Sequence, residues 1–218
     1  MAPLLNSSHI NNRTTICRYT RYNSALYSQK FLATMNITYP HTIENCIGEK
    51  LIFREVQKED DGDVVWVENF VVPGSGPIMH THLLQDEALT VIKGRMAYQV
   101  KGKPVQYAAE GESVVFKRGT PHRFWNDGDE VLNCIGWLKP ANTIVFYLSS
   151  LYAAQNKTGK AQPEMFDAAY LFTRYASEYD LPELPFIVKK VIVPVTYYIG
   201  LLLGKYKHFK DAPTPVKG

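Results

Sequence analysis

The stretch Gly74–Gly94, GSGPIMHTHLLQDEALTVIKG, places two of the chain's six histidines one residue apart and follows them with a glutamate. Around it, short apolar runs such as LIFREV, VVWVENFVV, RMAYQVKG, SVVFKRGTP and EVLNCIGWL are separated by breaks rich in Gly, Pro and Asp. Many short strands at roughly 8–12-residue spacing predict an antiparallel sandwich or barrel, here ending near Leu138. On a strand, residues i and i+2 share a face, so His80 and His82 present both imidazoles to one point. Glu87 follows at an odd offset, and LLQD must bend the chain to return its carboxylate to that point. In GESVVFKRGTPHRFWN the turn signal RGTP precedes His122, which places it across from the pair if the two strands meet there. Three neutral imidazoles and a carboxylate form a mixed N/O donor set. It suits Fe, Mn, Ni, Co, Cu or Zn and is unsuited to Ca or Mg.

The full spacing is more specific than any one pair. Gly74, five residues, His80-x-His82, four residues, Glu87, six residues and Gly94 form a first block. Gly111, then Gly119, His122 and Asn126 at fixed intervals form a second, sixteen residues on. Over roughly residues 50–138 the chain thus resembles the cupin superfamily, in particular small single-domain, quercetin-dioxygenase-like members. Lys117 stands where the second cupin motif has proline. The resemblance implies a double-stranded β-helix, an antiparallel jelly-roll barrel, with His80, His82, Glu87 and His122 as ligands of one divalent transition metal. Iron is the first expectation, with Mn, Ni, Co, Cu or Zn as alternatives. The motif glycines would serve tight turns, and Asn126 would hold the turn of the second motif.

In such 3-His/1-Glu cupins the typical chemistry is dioxygenation, so the expected function is a dioxygenase-type oxidoreductase acting on a small molecule. Glu87 is the candidate catalytic base. Strand parity with His122 and Glu87 directs Phe124, Leu89 and Val91 inward, and Trp66, Tyr98 and Trp137 are further pocket candidates. Together they predict an apolar or aromatic substrate. Arg95 and Arg123 fall away from inward positions, which argues against a clamped dicarboxylate. The alternatives are a non-catalytic small-molecule binder or sensor, and a metal-dependent isomerase, decarboxylase or hydrolase.

The rest of the chain bounds these expectations. At 218 residues with 45% hydrophobic residues, it can bury a core without disulfides. Cys17, Cys46 and Cys134 are odd in number and widely spaced, which predicts a reducing, cytoplasmic setting. Ten of the 24 basic residues but only one of the 21 acidic ones lie in residues 1–34 and 186–218. The body between them is therefore acidic, a poor match for nucleic acid. Residues 1–34 read as a disordered tail, an extraneous upstream extension or a presequence; residues 35–140 as the barrel; residues 141–218 as a helical extension. In the extension, Asn142 and Gly159 bracket a first helix. Met165, Ala168, Phe172, Ala176 and Tyr179 trace one face of a second, which would pack on the barrel or on a second subunit in a homodimer. The apolar run VIVPVTYYIGLLLG is too short to span a bilayer and carries Pro194. It predicts a docked terminal helix, with a peripheral membrane contact held by the flanking lysines as the alternative.

Overall fold

The computed structural model describes residues 37–218, which form one compact unit. The expectations for residues 1–34 lie outside the described residues. Eleven strands are present among these: β1 His41–Glu44, β2 Glu49–Gln57, β3 Val64–Val71, β4 Thr81–His82, β5 Asp86–Lys93, β6 Met96–Val100, β7 Gln106–Ala108, β8 Ser113–Phe116, β9 His122–Asn126, β10 Leu132–Lys139 and β11 Tyr179–Asp180. A six-stranded sheet runs β1-β2-β3-β10-β5-β8, and a three-stranded sheet runs β7-β6-β9. All pairings are antiparallel, and a bridge from His80 to His122 links the segment before β4 to β9. This is a double-stranded β-helix followed by a helical extension.

Alternation along the strands determines which side chains enter the core. In β10, Leu132, Cys134 and Leu138 are buried while Ile135 is exposed, the period of two of a sheet with one face packed. The buried interior between the sheets includes Val71, Leu89, Val91, Met96, Phe116 and Phe124. Gly74, Gly94, Gly111 and Gly119 all have positive φ, as the tight turns between strands require. Lys117, the departure from the motif, occupies a corner secured another way. Asp86 accepts hydrogen bonds from Lys117 Nζ at 3.2 Å, Arg118 Nε at 3.1 Å and the Arg118 backbone N–H at 2.8 Å. Burial alone would raise the Asp86 carboxyl, but the Arg118 and Lys117 contacts outweigh it and hold the group at about 2. A charge cluster therefore braces the corner that a proline ring would otherwise stiffen.

Helix α1 spans Ile144–Thr158, α2 spans Met165–Arg174, and a five-residue π turn, Val188–Ile192, runs into α3, Val193–Leu202. The cap of α1 is Thr143 rather than Asn142, which sits at φ 41°, and the left-handed Gly159 ends the helix. The expected apolar face of α2 is corrected in part. The helix stops at Arg174, so Ala176 is exposed beyond it and Tyr179 belongs to β11; Met165 is 60% exposed. The residues that bury are Asp167, Ala169, Tyr170 and Leu171, because the helix packs against α1 and α3 and presents only Phe172 toward the barrel mouth. Pro194 sits just after the π turn, where the wider coil tolerates its missing N–H. No helix among the described residues is long and apolar enough to cross a membrane.

Candidate metal centre and its cavity

His80, His82, Glu87 and His122 converge, each offering one donor atom, with all four atoms within 4.8 Å of one another. His80 and His82 flank Thr81 at β4, with both rings turned to one side and their centroids 5.0 Å apart. The chain bends between β4 and β5, so Glu87 points inward from β5, where it pairs with Leu138 and Phe116. His122 opens β9 directly opposite His80. Its ring stacks on Phe116 at 4.0 Å and is held from behind by Nδ1, which donates to Thr120 O at 2.8 Å. His80 Nδ1 donates likewise to Ile78 O at 2.8 Å. These backbone acceptors fix the tautomers and leave Nε2 of both rings facing the cluster, the orientation a ligating imidazole needs. Glu87 Oε2 lies 3.1 Å from His122 Nε2 and 3.2 Å from His82 Nε2.

The electrostatics suit a cation. Burial, reinforced by repulsion from His122 and His82, pushes His80 down to about 3, so it is neutral and its lone pair is free near neutral pH. Burial would raise the Glu87 carboxyl, but hydrogen bonds and charges from His122 and His82 prevail and keep it well below the usual range, hence anionic. Donors about 2.1 Å from a shared ion lie no more than about 4.2 Å apart, so a cluster spread over up to 4.8 Å would have to close by about half an ångström or more. The donor set fits a divalent transition metal; it does not by itself select which one.

The cluster lies on a cavity of about 160 Å³ between the open mouth of the barrel and the helical extension. That matches the size of an engineered apolar cavity of about 150 Å³ that holds benzene. Leu89 and Phe124 line it as expected from parity. Four other pocket candidates do not. Trp66 and Trp137 are cross-strand partners on the outer face of the six-stranded sheet, where Trp66 is 37% exposed and bonded to Gln57. Val91 and Tyr98 pack in the core beside Leu89 and Phe124 and do not line the cavity. Arg95 and Arg123 are engaged elsewhere, with Asp127 and Gln99, and no Lys or Arg lines the cavity.

Sequence reasoning missed the other wall. Tyr147, Leu148, Leu151 and Tyr152 of α1, Phe172 of α2 and Tyr179 of β11 all line the cavity. Their signal was the i, i+3, i+4 recurrence within YLSSLY, legible as a helix face but silent about what it covers. β11 pairs with β4, setting Tyr179 opposite His82, so the extension is stitched to a ligand-bearing segment. Tyr179 also stacks on Tyr147 at 4.0 Å. Of the histidines outside the motifs, His41 bonds Ser149 and His208 bonds Asp167, both away from the cluster, while His9 lies outside the described residues. Asn126 holds its turn: Nδ2 donates to Val71 O and Glu130 O, and Oδ1 accepts from the Gly128 N–H.

A family model described as a cupin domain matches residues 69–137, the span that contains all four cluster residues, and supports the cupin superfamily there. Similar solved structures include KdgF from Halomonas sp., at 16% identity and a TM-score of 0.41, with 50% of this chain and 94% of that one covered. A cupin-like protein from Thermotoga maritima matches at 20% identity and 0.39, with 49% and 82% covered. A protein described as a candidate sugar phosphate isomerase from Acidithiobacillus ferrooxidans matches at 25% identity and 0.32, over 34% of this chain. The present chain spans about half the length of that last protein, 49%. No curated protein matches the chain.

Proposed function

We propose that the protein is a metal-dependent, dioxygenase-type oxidoreductase acting on a small apolar or aromatic substrate. The observation that carries this reading is the four-donor cluster opening onto an apolar, ring-sized cavity. A transition ion held by His80, His82, Glu87 and His122 would supply one-electron and Lewis-acid chemistry to substrate and dioxygen. The chain's own residues do the rest. Leu89, Phe124, Leu138, Leu148 and Leu151 surround the reacting end with hydrocarbon and exclude bulk water. The backbone carbonyls of Ile78 and Thr120 hold two imidazoles in one orientation. Glu87, the one carboxylate of the cluster, is the group placed to accept a proton from a bound substrate.

Elemental analysis of protein purified without added metal should find about one equivalent of a transition ion, lost in His82→Ala and His122→Ala but kept in His208→Ala. Iron-loaded protein, prepared without air, should then consume dioxygen on addition of a small diketone, and Glu87→Gln should slow that turnover while retaining metal. A bound ion with no oxygen uptake, together with tight binding of a small aromatic, would replace this reading with that of a binding protein. Metal content unchanged in both histidine variants would end it.

A further inference from the structure

The cavity has further polar lining besides the histidine cluster. Glu49 of β2 and Asn69 of β3 both point into the barrel mouth and line the cavity, yet they are only 4% and 6% exposed. The β2–β3 register pairs Glu49 with Val71 and Leu51 with Asn69, which makes the two polar residues diagonal neighbours on the inner face. Glu49 Oε2 accepts from the Tyr152 hydroxyl and from Asn45 Nδ2 at 3.3 Å. Its other oxygen, Oε1, and Asn69 Oδ1 are buried with no hydrogen-bond partner among the described residues. A buried acceptor left unpaired costs about 1–3 kcal/mol, more when charged, so two of them on residues that line one cavity call for a donor from outside the chain. Glu49 has only neutral partners, and burial accordingly raises its carboxyl above the usual range.

We propose that Glu49 and Asn69 form a specificity subsite that receives a hydroxyl or amine on the substrate. This rests on the reading of the cavity as a substrate pocket and narrows the substrate class to a small ring or chain carrying a hydrogen-bond donor. Away from the metal cluster anions are disfavoured, because no Lys or Arg lines the cavity while Glu49 and Asp180 do.

The test is equilibrium binding of toluene, benzyl alcohol and benzylamine to the full chain purified with its metal, compared with Glu49→Gln and Asn69→Leu. In Glu49→Gln the oxygen can still accept from Tyr152, which turns the amide NH2 to the cavity and replaces an acceptor with a donor. Relative to toluene, the amine should fall about tenfold or more in both variants and the alcohol likewise in Asn69→Leu, as loss of a buried hydrogen bond predicts; the alcohol, whose oxygen can accept from the new amide NH2, should fall less in Glu49→Gln. Toluene should bind the variants as well as it binds the parent. Ratios unchanged in both variants, or binding of none of the three probes, would overturn the subsite. The readout uses neither metal content nor oxygen uptake, so failure of the subsite and failure of the enzymatic reading are separable.

A different observation points, independently, to an anionic membrane surface as the partner of α3. Ile187, Val191, Val195, Tyr198 and Leu202 recur every three or four residues and are 52–88% exposed except Val191, at 51%. The opposite side is docked: Tyr197 packs on Tyr170, and buried Gly200 lies against the Tyr206 ring, where any side chain would collide. Residues 184–210 carry Lys189, Lys190, Lys205, Lys207 and Lys210 and no acidic residue. Lys189 is paired with Asp180, and Lys210 lies 3.9 Å from Asp211; Lys190, Lys205, Lys207 and Lys210 are all exposed, towards the two ends of the apolar stripe. Apolar side chains flanked by lysines suit a helix lying in the plane of an anionic interface. A two-fold pairing of two α3 stripes would instead bring lysines against lysines.

Co-sedimentation of the full chain with vesicles of phosphatidylcholine, with and without phosphatidylserine, tests this. Binding should require phosphatidylserine, weaken at high salt, and fall about tenfold or more in the triple variant Lys205→Gln, Lys207→Gln, Lys210→Gln. Leu202→Glu, at a site 88% exposed, should abolish it without unfolding the chain. Absence of vesicle binding, or a stable dimer in sedimentation velocity that Leu202→Glu dissociates, would overturn the proposal.

Discussion

At the scale of single residues, burial separates groups that composition treats alike. Cys46 is exposed, whereas Cys134 is buried between the sheets and its thiol is pushed up to about 12. Alkylation of the native chain should therefore modify Cys46 rapidly and leave Cys134 untouched until denaturant is added, as peptide mapping would show. Equal labelling of both would contradict the core packing. Glu49 gives a pH dependence with a definite sign. Its folded carboxyl sits above the ordinary 4.5, so both states are protonated below that value and no cost arises. As pH rises from 4.5 through the folded value, the unfolded state ionises first and the folded state is progressively disfavoured. The melting temperature of Glu49→Gln should thus gain on that of the parent as pH rises above about 4.5, and parallel curves would refute this assignment.

At the scale of elements, the β8–β9 corner shows how one device substitutes for another. With lysine in place of proline, the turn depends on three hydrogen bonds to Asp86, a side chain only 16% exposed. Asp86→Ala should cost about 1.5–3 kcal/mol, measured by urea denaturation, because hydrogen bonds to a charged group are lost at once. A change under about 0.5 kcal/mol, the range of ordinary surface substitutions, would mean the corner is held by its backbone alone. The barrel strands were legible in the sequence because their alternation and turn residues are local signals. The end of α2 was less so. The apolar spacing continues through Ala176 and Tyr179, but the chain leaves the helix at Tyr175, whose ring is buried and whose hydroxyl donates to Pro213 O at 2.7 Å.

At the scale of the whole described body, the C-terminal tail ties the extension to the barrel. Glu178 is fully buried, accepting from the Val216 N–H at 2.9 Å on one oxygen and from Gln85 Nε2 and the Thr143 N–H on the other. Leu83 N–H in turn donates to Glu178 O at 2.8 Å, one residue from His82. A chain ending at Ala212 loses the contacts of Pro213 and Val216 and should be destabilised by about 1–3 kcal/mol, read as a lower melting temperature. It should also hold its metal more weakly, since the support of a ligand-bearing segment is loosened. Unchanged stability would show the tail to be a passenger.

The order of residues by itself determined the strand pattern, the bend after His82 and the four donors, since each follows from parity, turn chemistry and fixed spacing within short segments. What covers the barrel mouth was decided only by tertiary structure. Trp66 and Trp137 read as pocket aromatics but face outward, while Tyr147, Leu151 and Phe172, distant in sequence, complete the wall. The physical reason is that a helix's periodicity encodes which side it buries and says nothing of its neighbour. The docking of α1 on the mouth, and with it the polar lining made by Glu49, Asn69 and Tyr152, arises from contacts between residues about a hundred positions apart.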